Sequence, residues 1–287
     1  MAKGRELIGR IKTTENTRKI TRTMEMVATS KMKRAQDRVV AARPYAKALA
    51  DVIASLFNAD LAERFPLLRQ PAAEQRVAVV LLTANRGLCG AFNANLIKEA
   101  RHTIAELEAR GAQVDLHVVG RKGIGYFKYV GRAMIVQRTD ITDRPTAVDA
   151  ASLVDALMAD FTTGALDAVY VVHSKFNSAL STPPHTDRVL PVAAPSRAQA
   201  GRDYLLYPSA DAILTELLPS YVRNAVYRAL VETAAAEQSS RRAAMKSATD
   251  NAGDMLNVLR RTHNRARQAN ITQEIAEIVG GAAALQD

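Results

Sequence analysis

Helix-breaking residues are scarce at both ends of this chain. The first 57 residues contain no glycine after Gly9 and a single proline, Pro44; from Asp211 to Leu285 only Pro219 and Gly253 intervene before the Gly280-Gly281 pair. Each end therefore reads as one long helix, the first of roughly 80 Å and the last of roughly 110 Å at the α-helical rise. Those lengths exceed what a compact domain of this size encloses, so the two helices are expected to project or to pair with each other. A lone cysteine, Cys89, excludes an internal disulfide. With no metal-ligand spacing beside it, it reads as a small buried hydrophobe. No apolar run approaches the ~20 residues of a membrane span; the longest candidates are 77–82 and 278–285. No signal-peptide core or long acid-poor presequence opens the chain, so a cytosolic protein is expected.

Catalytic signatures are equally sparse. Gly120, Gly123 and Gly125 follow the spacing G-x-x-G-x-G, which differs from the dinucleotide fingerprint G-x-G-x-x-G, and there is no P-loop. The five histidines (His102, His117, His173, His185 and His263) are scattered, with neither H-E-x-x-H nor a Cys/His cluster, so no metal site is expected. The turn Asn85-Arg86-Gly87-Leu88-Cys89-Gly90 is the best candidate for a special site in the middle of the chain. The simpler reading is a tight strand-to-helix connection that requires glycines.

What is present is a heptad. Ala28, Met32, Ala35, Val39, Ala42, Ala46, Leu49, Ile53 and Leu56 follow one another at alternating steps of four and three. The final stretch repeats the alternation with Tyr227, Val231, Ala234, Met245, Ala248, Ala252, Met255 and Leu259, with Gln238 and Arg241 at two polar seam positions. A sustained 3.5-residue period implies a left-handed supercoil. Core stripes of an ordinary helical bundle give a similar pattern, but two such runs at opposite chain ends favour an antiparallel coiled coil. The seam is mostly Ala and Met, so the helices approach closely while each position buries little area. Pro44 lies within an unbroken heptad phase and predicts a bend, not a chain break.

Between the two ends the pattern changes. Asn58 to Gln75 holds Pro66 and Pro71 and reads as a linker. Strands are expected at 77–83, 114–119, 134–136 and 168–174, and helices at 93–110, 124–129 and 147–163. The Pro-rich stretch 182–195 is expected to form a loop and an edge strand. Strands alternating with helices imply an α/β domain with an open parallel sheet covered on both faces. The domain division follows: 1–57 an N-terminal coiled-coil helix, 76–208 the α/β domain, 209–287 the C-terminal coiled-coil helix.

The net charge of +10 is unevenly placed. Residues 1–57 carry 13 Lys/Arg against 5 Asp/Glu, an excess of 8; residues 58–210 carry 17 against 15, and 211–287 carry 9 against 9. A basic helix bearing Lys19, Arg22, Lys31, Lys33, Arg34 and Arg38 implies an acidic partner, either nucleic acid or an acidic protein surface, unless it is merely a solvated face.

Several stretches together carry a family resemblance. They are Lys19 to Met32 (KITRTMEMVATSKM), Gln36-Asp37-Arg38, the turn Arg86-Gly87-Leu88-Cys89-Gly90, Met245 to Ala252 (MKSATDNA) and Arg267 to Ile275 (RQANITQEI). In this order and at these separations the chain resembles the gamma subunits of bacterial-type F1Fo ATP synthases, over essentially its whole length. Pro219 interrupts the base of the last helix, and the loops of the middle domain depart freely. The cysteine-bearing insert of chloroplast relatives is missing, which argues against thiol control, and the absent presequence argues for a bacterial origin.

The resemblance implies a long antiparallel coiled coil of N- and C-terminal helices with an inserted Rossmann-like α/β domain. It implies a non-catalytic rotor shaft that turns within the ring of alpha and beta subunits and couples ion flow through the membrane-embedded c-ring to ATP synthesis or hydrolysis. The epsilon subunit and the c-ring would be its other partners. It implies no cofactor of its own, no metal and no transmembrane span, and a peripheral place on the cytoplasmic face of the bacterial inner membrane. Carried over residue by residue, it puts Lys19 and Met24 near an acidic loop of beta, and Arg241, Gln268 and Thr272 at contacts with the alpha/beta ring. The tip residues Ile271, Ile275, Ile278, Val279 and Leu285 read as apolar on more than one face, which suggests an apolar collar around them, with Ile275 among the ring contacts. A different class of function, a basic coiled-coil protein that binds nucleic acid, rests on the charge alone; it predicts affinity that falls steeply with salt. A nucleotide-binding enzyme would show ligand binding by residues 76–208.

Overall fold

A computed structural model describes residues 2–56, 64–192 and 210–283. Helix α1 (Ala2–Leu56) and the last helix (Ala210–Ala283), here α5, are each continuous, with Pro44 and Pro219 inside them. Between them lie β1 (Arg76–Leu82), α2 (Phe92–Ala109), β2 (Gln113–Val119), α3 (Arg121–Tyr129), β3 (Val136–Arg138), α4 (Ala147–Thr162), β4 (Ala168–Ser174) and β5 (Pro184–Leu190). The chain divides into two compact units: Met1–Val27 with Arg242–Asp287, and Ala28–Arg241.

In the larger unit the sheet order is β3-β2-β1-β4-β5, parallel except for β5, which runs antiparallel to β4 at the edge. Successive residues of β1 alternate between the two faces, and both faces are buried, as expected of a strand that reads as one continuous apolar run. Val80 and Leu82 face a layer built from α4, the first turns of α5, and Leu49 and Ile53 of α1. Val79 and Leu81 face Phe92, Leu96 and Ile104 of α2 and Phe127 of α3. Helix α4 starts where Thr146 and Asp149 cap each other: the Asp149 amide donates to the Thr146 hydroxyl at 3.2 Å, and the Thr146 amide donates to the Asp149 carboxylate at 2.7 Å.

Within each unit the α1 and α5 segments run antiparallel. In the larger one, Ala35 and Val39 pack with Val231 and Ala235. In the smaller one, the Thr249 hydroxyl donates to that of Thr21 at 2.8 Å and Arg260 pairs with Glu15 at 3.7 Å, so rising numbers on one helix meet falling numbers on the other.

Four expectations need correction. The seam of α5 passes through Thr249 and Leu256, both buried, instead of Ala248 and Met255; Met255 is 55% exposed. At 3.6 residues per turn a position and its neighbour both border the stripe, and here Leu256 and Thr249, the latter bonded to Thr21, take the inward places. Strand β3 lies two residues later than expected, because its backbone pairs with 117–119 regardless of its polar side chains. The stretch read as a linker contributes Leu67 and Leu68 to the core through a 3-10 turn at Pro66–Leu68, and residues 58–63 of it lie outside the described residues. Finally, Ile271, Ile275, Ile278 and Val279 fall within about 100° of one another on α5, one face and not several; Leu285 and the side chain of Leu56 lie outside the described residues.

Candidate partner-contact site

The smaller unit carries five of the six residues singled out as partner contacts. Lys19 is exposed, its carbonyl accepting the Thr23 hydroxyl at 3.0 Å, and Met24 is half-buried. Five residues apart on a helix, they point about 140° away from each other and do not form one patch. Gln268, Thr272 and Ile275, by contrast, occupy a single stripe of α5 at steps of four and three. All three are exposed, and the Thr272 hydroxyl turns back to donate to the Gln268 carbonyl at 3.0 Å. The isoleucines 271, 275 and 278 flank or share this stripe, while Gln273 and Glu277 hydrogen-bond each other at 2.9 Å on the far side. This helix end is thus amphipathic, with its apolar side in solvent.

Arg241 stands apart from the other five. It is 9% exposed, and its guanidinium donates to Glu237 Oε1 at 2.6 Å and to the carbonyl of Gly87 at 3.3 Å. It is therefore turned inward, onto the turn that follows β1. Burial pushes the Glu237 carboxyl up from its ordinary value, with Arg241 pulling it back. Burial also pushes up the Cys89 thiol, which Arg241 again opposes and to which Asn93 Nδ2 donates at 3.1 Å. Beside this cluster Lys31 pairs with Asp143 at 2.7 Å, and Lys33 pairs with Asp37 at 2.9 Å, so two cations of the basic helix already have acidic partners in their own chain.

The turn itself is held by side chains. Asn85 donates to the carbonyls of Thr139 and Ile141, both at 3.0 Å, and accepts from the Arg121 amide at 3.1 Å. Leu88 adopts a left-handed φ of 60° and is 62% exposed at the tip of the turn. In a leucine that conformation stores of order 1 kcal/mol or more of strain.

Residues that sequence reasoning missed lie on α5 just before Arg241. Positions 229–236 are all buried, which no one-sided helix would show. Glu232 Oε2 accepts from the Phe176 amide at 3.1 Å, Thr233 Oγ1 accepts from the Ser174 amide at 3.3 Å, and Ser239 donates to the Ala179 carbonyl. These partners lie at the carboxyl end of β4 or in the segment that follows it, and Gly87 lies in the turn that follows β1. In open α/β sheets the crevice at these ends, where strand order reverses, is where ligands bind. Here the chain's own helix fills it. The available signal was a set of polar residues set among Ala234-Ala235-Ala236, where a merely solvated face would not need alanines on every side.

The family model described as ATP synthase matches residues 3–285. The chain belongs to the ATP synthase gamma chain family. A gamma chain of Gemmatimonas aurantiaca is 69% identical over the full length of both chains. One of Frankia casuarinae is 43% identical, covering 98% of this chain and 97% of the relative, and one of Leptospira biflexa is 40% identical over 99% and 100%. Solved structures share the fold. A chain of the Euglena gracilis mitochondrial ATP synthase in its OSCP/F1/c-ring assembly superposes with a TM-score of 0.69 at 18% identity, covering 99% of this chain and 95% of that one. A chain of the Tetrahymena thermophila central stalk/c-ring gives 0.60 at 22% identity, covering 80% and 99%. As a member of the gamma chain family the protein is a subunit of a membrane-associated complex. Among the described residues no helix is long and apolar enough to cross a membrane, and no group of three His, Cys, Asp or Glu is placed to hold a metal ion.

Proposed function

We propose that this chain is the central rotor shaft of a bacterial F1Fo ATP synthase. It couples ion-driven turning of the c-ring to conformational changes at the catalytic beta subunits, which make or hydrolyse ATP. The observation that carries this reading is end-to-end identity of 69% with an ATP synthase gamma chain, over a fold whose first and last helices run antiparallel. In the larger unit the sheet's ligand crevice is occupied by Glu232, Thr233 and Arg241 of its own helix, which favours a mechanical role over catalysis by this subunit. The alpha/beta ring, the epsilon subunit and the c-ring are its partners, and its place is peripheral, on the cytoplasmic face of the inner membrane. Coupling then arises because different faces of a turning helix make contacts of different free energy with each state of the ring.

The apolar side of α5 at Ile271, Ile275 and Ile278 supports a bearing inside the ring, together with Gln268 and Thr272. Lys19 and Met24 supply a basic and an apolar contact to beta, and Arg241 contributes to ring contact through the turn that it holds. The division at 1–57, 76–208 and 209–287 separates the two shaft helices from the domain that meets the c-ring. The nucleic-acid reading had only charge behind it, and the comparisons lend it nothing.

Mixing the purified chain with alpha and beta subunits is expected to restore ATP hydrolysis that is coupled to rotation. Gln268→Ala is expected to weaken assembly or turnover. A Gln268 variant with unchanged coupling removes that residue from the contact, and failure of the unmodified chain to support coupled hydrolysis contradicts the rotor reading.

A further inference from the structure

Residues 229–236 of α5 are enclosed on every side, yet apart from Leu230 and Val231 the helix's own apolar surface there is smooth. Ala229, Ala234, Ala235 and Ala236 are all buried, and alanines give a helix an almost cylindrical surface. Apolar packing is non-directional, so it resists separation of the helix from the domain far more than it resists turning of the helix about its own axis. Hydrogen bonds are directional, and they would resist that turning.

The polar side chains here are arranged as such a resistance. Taking Glu232 as zero, Thr233 lies at about 100°, Arg241 at about 180° and Ser239 at about 340° around the helix axis. They reach the Phe176 amide, the Ser174 amide, the Gly87 carbonyl and the Ala179 carbonyl respectively. Every partner is a backbone atom, of Ser174 at the end of β4 or of the segments that follow β4 and β1, rather than an atom carried on a mobile side chain. Rotation of the helix in either direction would break bonds on opposite sides of it together. The same helix continues to Ala283.

We propose that Glu232, Thr233, Ser239 and Arg241 form a torsion lock, which fixes the angular position of α5 in the α/β domain so that torque applied to the domain turns the helix instead of slipping around it. The inference rests on the rotor reading above. It assigns these side chains as positioning residues of the coupling and not as contacts with another subunit.

The test uses the complete complex in inverted membrane vesicles, with ATP hydrolysis and ion pumping measured together. Glu232→Ala with Thr233→Val removes two bonds, and ions pumped per ATP hydrolysed are expected to fall while hydrolysis persists. Each net hydrogen bond lost corresponds to about a fivefold rise in slipped turnovers. Glu232→Gln with Thr233→Ser keeps both acceptors and is expected to restore the wild-type ratio. A merely structural role would lower hydrolysis and pumping in proportion to the amount of assembled complex, leaving the ratio unchanged. If the double variant does not assemble, Ser239→Ala decides the matter through the torsional stiffness of the shaft, read from the angular fluctuations of a bead on the stalled complex. Lower stiffness supports the lock. An unchanged pumping ratio in the assembled double variant, or unchanged stiffness in Ser239→Ala, overturns it. A wild-type chain that supports no coupled hydrolysis would instead contradict the rotor reading.

Discussion

Glycines that look alike in the sequence have opposite tasks in the structure. Gly120 sits at φ 99°, and a Cβ there would lie 2.1 Å from the Thr83 carbonyl oxygen, because the start of α3 is pressed against the end of β1. Gly253, in the middle of α5, has ordinary helical backbone and nothing within 4 Å of where a Cβ would be. Gly120→Ala is therefore expected to cost about 3 kcal/mol or more, from strain and overlap combined. Gly253→Ala is expected to stabilise the chain by about 0.5–1 kcal/mol, because alanine gives up less backbone entropy in a helix. Urea unfolding of the two variants checks both signs. Charge at the residue scale gives a further test. A two-pronged hydrogen bond from Arg138, at 2.7 and 2.6 Å, holds the Asp140 carboxyl down at about 2, against 3.8 in the unfolded chain. A depressed carboxyl pKa contributes stability above the unfolded value and loses it as pH falls toward the folded one. Between about pH 4 and pH 2 the wild type should lose this contribution. Asp140→Asn should flatten that part of a melting-temperature-versus-pH curve by lowering the neutral-pH end, and by a small amount only, since the Asp140 carboxyl is largely at the surface.

At the scale of elements, legibility followed how far each burial was decided locally. From Ala28 to Ile53 the seam was visible, because small and apolar residues mark it and Ala28, Met32, Ala35, Val39, Leu49 and Ile53 are all buried. Between Met245 and Leu259 it was misread at two places. Thr249 is buried because its hydroxyl meets Thr21 at 2.8 Å, a partner 228 positions away that no local pattern announces. Strand β5, with His185, Thr186, Asp187 and Arg188 in succession, lacks an apolar alternation and could be placed only as part of a loop with an edge strand. The α/β strands buried on both faces were legible almost to the residue. Arg241 was legible as a polar seam position but not as a brace on the turn after β1, since its bonds to Glu237 and to the Gly87 carbonyl depend on enclosure by the whole larger unit. The threonine pair supplies the prediction at this scale. Each hydroxyl has a second bond within its own helix, Thr21 to the Arg18 carbonyl at 3.1 Å and Thr249 to the Met245 carbonyl at 2.8 Å. Replacing either one by valine is expected to cost about 1 kcal/mol, and replacing both to cost less than the sum of the two. A double-mutant cycle in urea measures this, and strict additivity would mean that the bond across the seam contributes nothing.

For the molecule as a whole, the class was legible in the two long terminal helices, and the packing of the last helix into the α/β domain was not. Within the basic excess of the first 57 residues, Lys19 and Arg22 remain exposed while Lys31 and Lys33 are already paired with Asp143 and Asp37. The α/β domain has the layout of a ligand-binding fold, with its crevice taken by the last helix, so the domain is better suited to holding that helix than to holding a small molecule. Both features belong to a part that is turned and that turns others. The most direct measurement fixes an alpha/beta ring assembled with this chain to a surface, attaches a bead to the chain's α/β domain and supplies ATP. Unidirectional, stepwise rotation of the bead is the predicted result, and a bead that shows only undirected fluctuation while the ring hydrolyses ATP would contradict it.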